Sequence, residues 1–336
     1  MRRILFATVV LCSLVLSSCK KEAPKEATKE VVTETLSPVE AYGQLQVKGR
    51  YLCDEKGDTV VLRGVSFGWH NLWPDFYNAE AVNWLKEDWK PTILRAAMGL
   101  HIENNYFENP EFAVKCVETV VDEAIKEGLY VIIDWHAHDI FLDEAKAFFA
   151  TMAQKYGEYP NVMYELFNEP TDKHSWQDVK TYAEELIAEI RKYDPDNIIL
   201  VGTPNWDQRV DLAAEDPITG YENIMYTFHF YAATHKEYER GCLVKALELG
   251  LPVFVSESAG CEHTGDGYLD VESWTNWIEF LEQEKIGWVI WSISDKVETC
   301  SMILETGRYT GGWEEEALRP SGVKTREFLR EYNKAF

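Results

Sequence analysis

The sequence predicts an α/β protein: a single (β/α)8 TIM barrel of parallel strands inside a ring of helices, preceded by a small hairpin. From about residue 41, short β-branched or aromatic runs alternate about eight times with longer amphipathic segments. The length of 336 residues accommodates one barrel of about 250 residues. An apolar content of 46% is enough to fill its core.

The predicted elements follow in chain order. Residues 45–47 and 51–53, with a turn at 56–58, form a hairpin that closes the barrel floor. The eight predicted strands are 60–66, 92–98, 130–135, 162–168, 198–202, 224–230, 253–257 and 288–292. The predicted helices are 112–127, 143–156, 176–193, 238–249, 272–284 and 322–332. Stop signals such as Gly128, Asp194-Pro195-Asp196 and Gly250-Leu251-Pro252 mark helix ends.

The amino end is typical of an export signal. Basic residues at 2 and 3 precede an apolar stretch at 4–16, which at about 13 residues is too short for a spanning helix of about 20. Leu16-Ser17-Ser18-Cys19 resembles a bacterial lipobox. We therefore expect residues 1–18 to be a lipoprotein signal peptide and Cys19 to carry lipid, an ordinary signal with a coincidental cysteine being the alternative. The protein would then be exported and anchored to a bacterial membrane, facing the cell surface or the periplasm.

The expected mature chain has a charged tether at residues 19–40 and one catalytic domain at 41–336. Acidic residues outnumber basic ones by 57 to 33, and the formal net charge is −24. Nucleic acid is therefore excluded as a partner. We expect a monomer that meets the membrane only through its lipid.

Five cysteines remain beyond Cys12 and Cys19, at positions 53, 116, 242, 261 and 300. An odd number cannot all pair within the chain, so buried thiols with at most two bridges are expected. Because none belongs to a CxxC pair, no zinc site is predicted. No metal and no cofactor are expected.

Two acidic residues follow buried strands. Glu169 comes after the run 162–168, and Glu257 ends the run 253–257. In a parallel barrel both strand ends lie on the same face, where active sites are found. Hydrolysis of a glycosidic bond needs one protonated carboxyl group and one carboxylate. The two acids are therefore predicted to act together, a structural ion pair being the alternative.

Other polar and aromatic residues occur at predicted strand ends. Arg95 and Tyr231 are expected to keep Glu257 ionised and to lower its pKa. Asn168 is placed to bond a sugar 2-hydroxyl, and Trp291 offers an apolar face to a sugar ring. The remaining predicted substrate-binding residues at this stage are Trp73, His136, Trp206, His229, His263 and Thr264. Each alone is equally compatible with packing or with a hydrogen-bonded core position.

Taken together, these residues resemble glycoside hydrolase family 5, the cellulase family A, and within it the bacterial endo-β-1,4-glucanases. The resemblance runs in order over about residues 43–330. The matching motifs are Arg63-Gly64-Val65-Ser66, Leu94-Arg95-Ala96-Ala97-Met98, Val131-Ile132-Ile133-Asp134-Trp135-His136, Asn168-Glu169-Pro170, Phe228-His229-Phe230-Tyr231-Ala232, Val255-Ser256-Glu257 and Trp291-Ser292.

The resemblance implies roles for individual residues. Glu169 would be the general acid/base and Glu257 the nucleophile of a retaining mechanism, with carboxyl groups about 5–5.5 Å apart. His70 resembles the family's first-strand histidine, and Lys296 with Glu298 resembles a Lys-x-Glu element that binds more distant sugars. The family implies a β-glucan substrate.

The chain also departs from the family pattern. Ser258-Ala259-Gly260 stands where many relatives have Trp-Gly, and Gly99 stands where many have Tyr. These changes put the sugar contacts in question. The predicted function is a retaining endo-β-1,4-glucanase acting on cellulose-like or mixed-linkage glucans. A β-mannanase, xylanase or xyloglucanase on the same barrel, and a surface glycan-binding lipoprotein without turnover, are the alternatives.

Overall fold

The computed structural model describes residues 36–336 and confirms the predicted barrel. Eight parallel strands close in the order β10-β3-β4-β5-β6-β7-β8-β9, after a separate antiparallel hairpin of β1 and β2. The strands are β1 (Gln46–Lys48), β2 (Tyr51–Cys53), β3 (Arg63–Phe67), β4 (Ile93–Gly99), β5 (Tyr130–His136), β6 (Val162–Glu165), β7 (Ile199–Val201), β8 (Ile224–Tyr231), β9 (Val253–Ala259) and β10 (Trp288–Ile293).

Helices cover the outside of the barrel and occupy several loops. They are α1 (Pro38–Tyr42), α2 (Ala79–Trp84), α3 (Pro110–Lys126), α4 (Leu142–Tyr156), α5 (Trp176–Ile190), α6 (Pro204–Asp207), α7 (Val210–Glu215), α8 (Glu237–Glu248), α9 (Val271–Glu284) and α10 (Pro320–Tyr332). A π-helical turn spans Leu85–Trp89, and short 3-10 turns span Pro74–Phe76 and Glu315–Ala317.

The hairpin seals the lower end of the barrel, as the sequence predicted. Leu45 and Leu52 are buried in one cluster with inward-facing strand residues that include Ile93, Ile132 and Met163. These side chains fill the floor, which is therefore a packed core and not a pore. Burial of each one stabilises the fold by about 1.5–3 kcal/mol. A ligand therefore has access to the barrel only at the carboxyl ends of the strands.

The domain begins earlier than predicted. Ser37 caps helix α1 through the amide of Glu40, and the Val39 amide donates to the Gly128 carbonyl at 3.0 Å. Residues 38–40, assigned to the tether, therefore belong to the folded domain. The predicted signal, Cys19 and the rest of the tether up to residue 35 lie outside the described residues.

The carboxyl ends of two barrel strands differ from the prediction by more than one residue. Strand β6 ends at Glu165 and not at 168, although the Leu166 amide still donates to the Leu200 carbonyl at 3.0 Å. Strand β9 continues to Ala259, so Glu257 lies inside the strand and not at its end. Helices α2, α6 and α7 were not predicted because they are only four to six residues long and lie within loops.

The cysteines at positions 53, 116, 242, 261 and 300 are all buried free thiols, so the predicted upper limit of two bridges is not approached among the described residues. Within residues 36–336, none of the helices combines the length and the apolar character needed to cross a bilayer.

Replacing Gly64 with alanine is expected to destabilise the barrel. Gly64 pairs with Ile93 across β3 and β4, and a Cβ atom at position 64 would lie 1.8 Å from the Ile93 carbonyl oxygen. Because the strands must separate to relieve this clash, we expect a loss of about 3 kcal/mol in the free energy of unfolding, measured in urea.

Gly241 in α8 provides the control, because no heavy atom outside its own helix lies within 4 Å of a Cβ built there. Gly241→Ala should leave stability unchanged or raise it by about 0.5–1 kcal/mol. Equal effects of the two substitutions would contradict the tight packing at Gly64.

Candidate active site

Glu169 and Glu257, here called the carboxyl pair, meet at the open end of the barrel. Glu257 is held in the regular ladder of β9, where it pairs with His229 of β8. Glu169 lies beyond β6, and its amide donates to the Ala137 carbonyl at 3.2 Å. Carboxylate oxygens of the pair and a His229 ring nitrogen lie within 4.8 Å of one another. Two acids that are 88 residues apart in the sequence are thus placed side by side.

Arg95 is the cation beneath the carboxyl pair. It extends from β4, is completely buried, and contacts Glu257 through Nη1 at 3.0 Å. Its Nε atom lies 2.6 Å from Glu165, and its Nη2 atom lies 2.9 Å from Asp134 and donates to the Asn168 side-chain oxygen at 2.6 Å. The guanidinium group therefore fixes Glu257 and Asn168 in one plane of hydrogen bonds.

Tyr231 and His229 orient the two carboxyl groups separately. The Tyr231 hydroxyl donates to Glu257 at 2.7 Å. His229 Nδ1 lies 3.1 Å from Glu169, while its Nε2 lies 2.9 Å from the Ser256 hydroxyl. The β8–β9 ladder shifts its register between Thr227 and His229, so that His229 pairs with Glu257 and not with Ser256. His229 thus contacts Glu169 while its backbone lies beside that of Glu257.

The two members of the carboxyl pair have opposite pKa shifts. Burial and the charge of Glu169 raise the pKa of Glu257 above its usual value, although His229, Arg95 and Tyr231 act to lower it. Burial also raises the pKa of Glu169, but hydrogen bonding and charge from His229 outweigh it and leave that pKa lowered. Arg95 and Tyr231 act to lower the pKa of Glu257, as predicted. Burial and Glu169 outweigh them, so the predicted lowering of this pKa is wrong and the net shift is upward.

The groups buried around the pair shift one another's pKa values. Burial raises the pKa values of Asp134 and Asp207 well above their usual range. Although burial opposes ionisation of Arg95 and His229, neighbouring carboxylates raise both pKa values, and Arg95 lowers the pKa of Glu165 against the effect of burial. The carboxyl pair therefore titrates together with its buried neighbours.

A cleft of about 250 Å³ opens above the carboxyl pair, and a second cavity of about 370 Å³ shares Glu169, Tyr231 and His263 with it. The cleft includes most of the predicted sugar-binding residues. They are Trp73, His136, His263, Thr264, Trp291, Lys296 and Glu298 in the first cavity, and Trp206 and His229 in the second.

Aromatic stacking organises the cleft floor. The rings of His136 and Trp291 stack at 5.1 Å with an angle of 11° between planes, and Trp69 meets His136 edge-on at 4.9 Å. Trp206 is 38% exposed and is presented by a turn in which three consecutive residues, 205–207, have positive φ angles. Lys296 forms an ion pair with Glu298 at the rim.

His70 does not reach the cleft, which corrects its predicted role. Its side chain is fully buried, and Nδ1 accepts a hydrogen bond from the Gly99 amide at 3.0 Å. Burial lowers the pKa of His70 to about 4, so the ring is neutral at pH 7. A residue without exposed surface cannot contact a sugar, and His70 instead fixes the backbone at the end of β4.

The departures from the family pattern also have local explanations. Ser258 is buried and donates to the Val289 carbonyl at 2.9 Å, so it faces strand β10 and not the cleft. At Gly99, an added Cβ would lie 2.2 Å from Asn71 Oδ1 and 3.1 Å from the Trp69 ring. Trp69 and Asn71 therefore occupy the space of the missing side chain.

Sequence reasoning missed several residues of the site. Glu165 and Ser256 form the layer beneath the pair, joined by a 2.6 Å hydrogen bond. A charged residue inside the apolar run 162–167 was the available signal for Glu165. His138 lines the cleft with Nδ1 3.7 Å from Glu169, and its position two residues after His136 placed it on the same side of the chain. Asp207, in a loop turn, had no sequence signal.

The carboxyl pair with His229 is the one group among residues 36–336 whose acidic and histidine atoms have the spacing of a metal site. Hydrogen bonds from Arg95, Tyr231 and His229 already occupy these carboxylate oxygens. The arrangement suits proton transfer and attack at carbon without a metal.

The curated proteins that this chain resembles are endoglucanases. The Endoglucanase of Clostridium saccharobutylicum is 38% identical over 289 residues, which are 84% of this chain and 64% of that protein. Endoglucanase A of Evansella cellulosilytica is 40% identical over 282 residues, 82% of this chain and 57% of that protein. The chain thus spans about three fifths of the length of these relatives.

Solved structures agree in fold over nearly the whole domain. A protein from Cytophaga hutchinsonii has a TM-score of 0.87 and 46% identity, covering 89% of this chain and 98% of that one. The catalytic domain of Thermobifida fusca endoglucanase Cel5A, also solved with cellotetraose, has a TM-score of 0.83 and 38% identity, covering 88% and 100%. Residues 53–297 match the profile of the Cellulase family, and the chain belongs to that family, glycosyl hydrolase family 5.

Proposed function

We propose that the protein is a retaining endo-β-1,4-glucanase that cleaves internal bonds of cellulose-like or mixed-linkage glucans. The observation that carries the proposal is the closeness of the carboxyl pair, since one oxygen of Glu169 and one oxygen of Glu257 lie within 4.8 Å of each other. Retaining enzymes have carboxyl groups about 5–5.5 Å apart, whereas inverting enzymes leave about 6.5–9.5 Å for a water molecule, so this closeness favours retention. The names of the relatives support β-glucan as the substrate.

Glu257 suits the role of nucleophile. Hydrogen bonds from Arg95 and Tyr231 to its two oxygens fix the carboxylate, and its side chain is only 5% exposed. In the first step, a carboxylate oxygen of Glu257 attacks the anomeric carbon and the glycosidic bond breaks. The leaving oxygen takes the proton of Glu169, and a glycosyl ester on Glu257 results.

Glu169 suits the role of acid and then base. Its side chain is 14% exposed and faces the cavity shared with Trp206. In the second step, Glu169 removes a proton from an entering water, whose oxygen attacks the anomeric carbon and releases Glu257 as a carboxylate. Asn168, held by Arg95, is positioned to bond the sugar 2-hydroxyl while positive charge develops.

The proposed first step requires a proton on Glu169 and an ionised Glu257. In the unliganded protein the opposite pKa shifts favour a proton on Glu257. Transfer of that proton within the pair converts one form into the other without a change in total charge.

The shape of the site favours internal cleavage of a polymer. Two cavities meet at Glu169, with Trp206 lining one and Trp73 and Trp291 lining the other. Rings in both cavities provide apolar faces for several sugars of one chain. The open cleft does not confine binding to a chain end.

Substrate specificity tests the proposal directly. The protein should release reducing sugar from carboxymethylcellulose and barley glucan faster than from mannan, xylan or xyloglucan. Glu257→Ala should lose at least about a thousandfold in kcat, because no covalent intermediate can form. The exposed Glu185 of α5 provides the control, since Glu185→Ala removes only a surface ion pair with Lys146.

Activity on mannan, xylan or xyloglucan alone would identify the corresponding alternative enzyme. Similar rates for the parent and Glu257→Ala would contradict the nucleophile assignment. Glucan binding without hydrolysis by either protein would favour the binding lipoprotein.

The pH dependence tests the coupling within the carboxyl pair. Glu169→Gln removes the negative charge that raises the pKa of Glu257, so that pKa should fall. On an aryl β-cellobioside whose phenolate leaves without protonation, the first step then depends only on ionised Glu257. We expect the rise of kcat/KM from low pH to move by about 1–2 pH units to lower pH.

Glu298 lines the same cleft but pairs with Lys296 at the rim, so Glu298→Gln should leave the rise of kcat/KM from low pH in place. If the rise of kcat/KM in Glu169→Gln stays at the same pH or moves to higher pH, the proposed repulsion between Glu169 and Glu257 is contradicted.

We further propose that the chain is an exported, lipid-anchored protein, on the strength of the apolar run at 4–16 and the lipobox-like 16–19. Cys19→Ala should move the protein from the membrane fraction to the soluble fraction because the thiol that carries the lipid is lost. Cys12→Ala, in the signal itself, should remain at the membrane. Unchanged membrane partition of Cys19→Ala, measured by fractionation and immunoblot, would refute the anchor.

A further inference from the structure

Two of the five described cysteines are neighbours beside the cleft. Cys261 and Cys300 are 0% and 1% exposed and belong to one small cluster with Tyr231 and Trp291. Both thiols therefore belong to the same small buried packing group at the cleft. The remaining three are dispersed, with Cys53 in β2, Cys116 in α3 and Cys242 in α8.

The backbone around the two thiols is held on both sides. The Cys300 amide donates to the Gly265 carbonyl at 2.9 Å, and the Ser292 amide donates to the Cys300 carbonyl at 3.2 Å. The Ala233 amide donates to the Cys261 carbonyl at 3.1 Å. Both cysteines are therefore held by backbone hydrogen bonds on the segments that follow β9 and β10.

We propose that Cys261 and Cys300 form a disulfide, a covalent cross-link between the two cleft-lining segments after β9 and β10. One segment carries His263 and Thr264, and the other carries Lys296 and Glu298. The bond would close a loop of about 40 residues, a length for which a cross-link restricts the unfolded chain substantially. The inference does not depend on the proposed glucanase activity.

The chemistry needs an oxidant with a disulfide, such as oxidised glutathione or an oxidoreductase in its disulfide form. A thiolate of the pair attacks a sulfur of that oxidant, and one reduced thiol leaves. The second cysteine then attacks the mixed disulfide and releases the other thiol. Two protein thiols are oxidised to one disulfide, and the oxidant is reduced to two thiols.

Cys300 also links the pair to the cleft. Its thiol donates to Glu298 Oε1 at 3.4 Å, and Glu298 pairs with Lys296 at the rim. Hydrogen bonding with Cys261 and burial raise the pKa of the Cys300 thiol well above its usual value, so attack in the folded protein should be slow. Oxidation would remove the S–H group that donates to Glu298. It would also restrict movement of the segment after β10, which carries Glu298.

The test begins with the whole parent protein, incubated with excess oxidised glutathione until the free-thiol count is constant. After alkylation in denaturant and digestion without reductant, mass spectrometry should find the segments around Cys261 and Cys300 in one peptide that dithiothreitol separates. Cys116 and Cys242 should be recovered alkylated. The oxidised protein should also melt at a higher temperature than the reduced one.

Cys261→Ala should abolish the cross-linked peptide and the effect of dithiothreitol on melting, whereas Cys242→Ala should preserve both. Recovery of Cys261 and Cys300 as separate alkylated or glutathionylated peptides from the parent would overturn the proposal, as would pairing of either with another cysteine. Because the parent alone gives this answer, a variant that fails to fold does not affect it.

Discussion

The buried guanidinium group of Arg95 is the interaction on which the rest of the site depends. It lies where no water reaches, and it contacts the carboxyl groups of Asp134, Glu165 and Glu257 between 2.6 and 3.0 Å. A buried cation is tolerated only when anions compensate it, and buried anions need a cation. Removing the arginine would leave several acids unpaired at once. The geometry of the nucleophile candidate and the stability of the upper barrel are therefore linked.

The barrel supplies the rigidity that this charge arrangement requires. Strand register aligns Arg95 with Ser66 and Ile132 on its two neighbours, and aligns His229 with Glu257 on the far side. Side chains on adjacent parallel strands point inward at fixed heights, so each polar group meets the next in a layer. The hairpin below excludes solvent from the other end. Dense apolar packing in the lower layers thus offsets the free-energy cost of burying polar groups in the top layer.

Periodicity was sufficient to predict the eight barrel strands and the long outer helices, because each buries one continuous apolar face. The acids at 169 and 257 were recognisable for a related reason, since a carboxylate after a buried strand has few structural uses. Side-chain direction in loops was not predictable. His70 follows the first barrel strand like a ligand-binding residue, yet its ring turns inward to the Gly99 amide. Net pKa shifts also depend on burial and on several charges together, which spacing does not reveal.

The loss of a side chain at Gly99 shows how the chain keeps a closed wall while changing its chemistry. A tyrosine there would collide with Asn71, whose amide nitrogen donates to the carbonyls of His101 and Glu103. Trp69 fills the remaining space and meets His136 edge-on. Trp69 therefore supplies aromatic surface beside His136 where Gly99 has no side chain. The shape of this wall depends on the loop that carries residues 69–71, whereas Glu257 is held within strand β9.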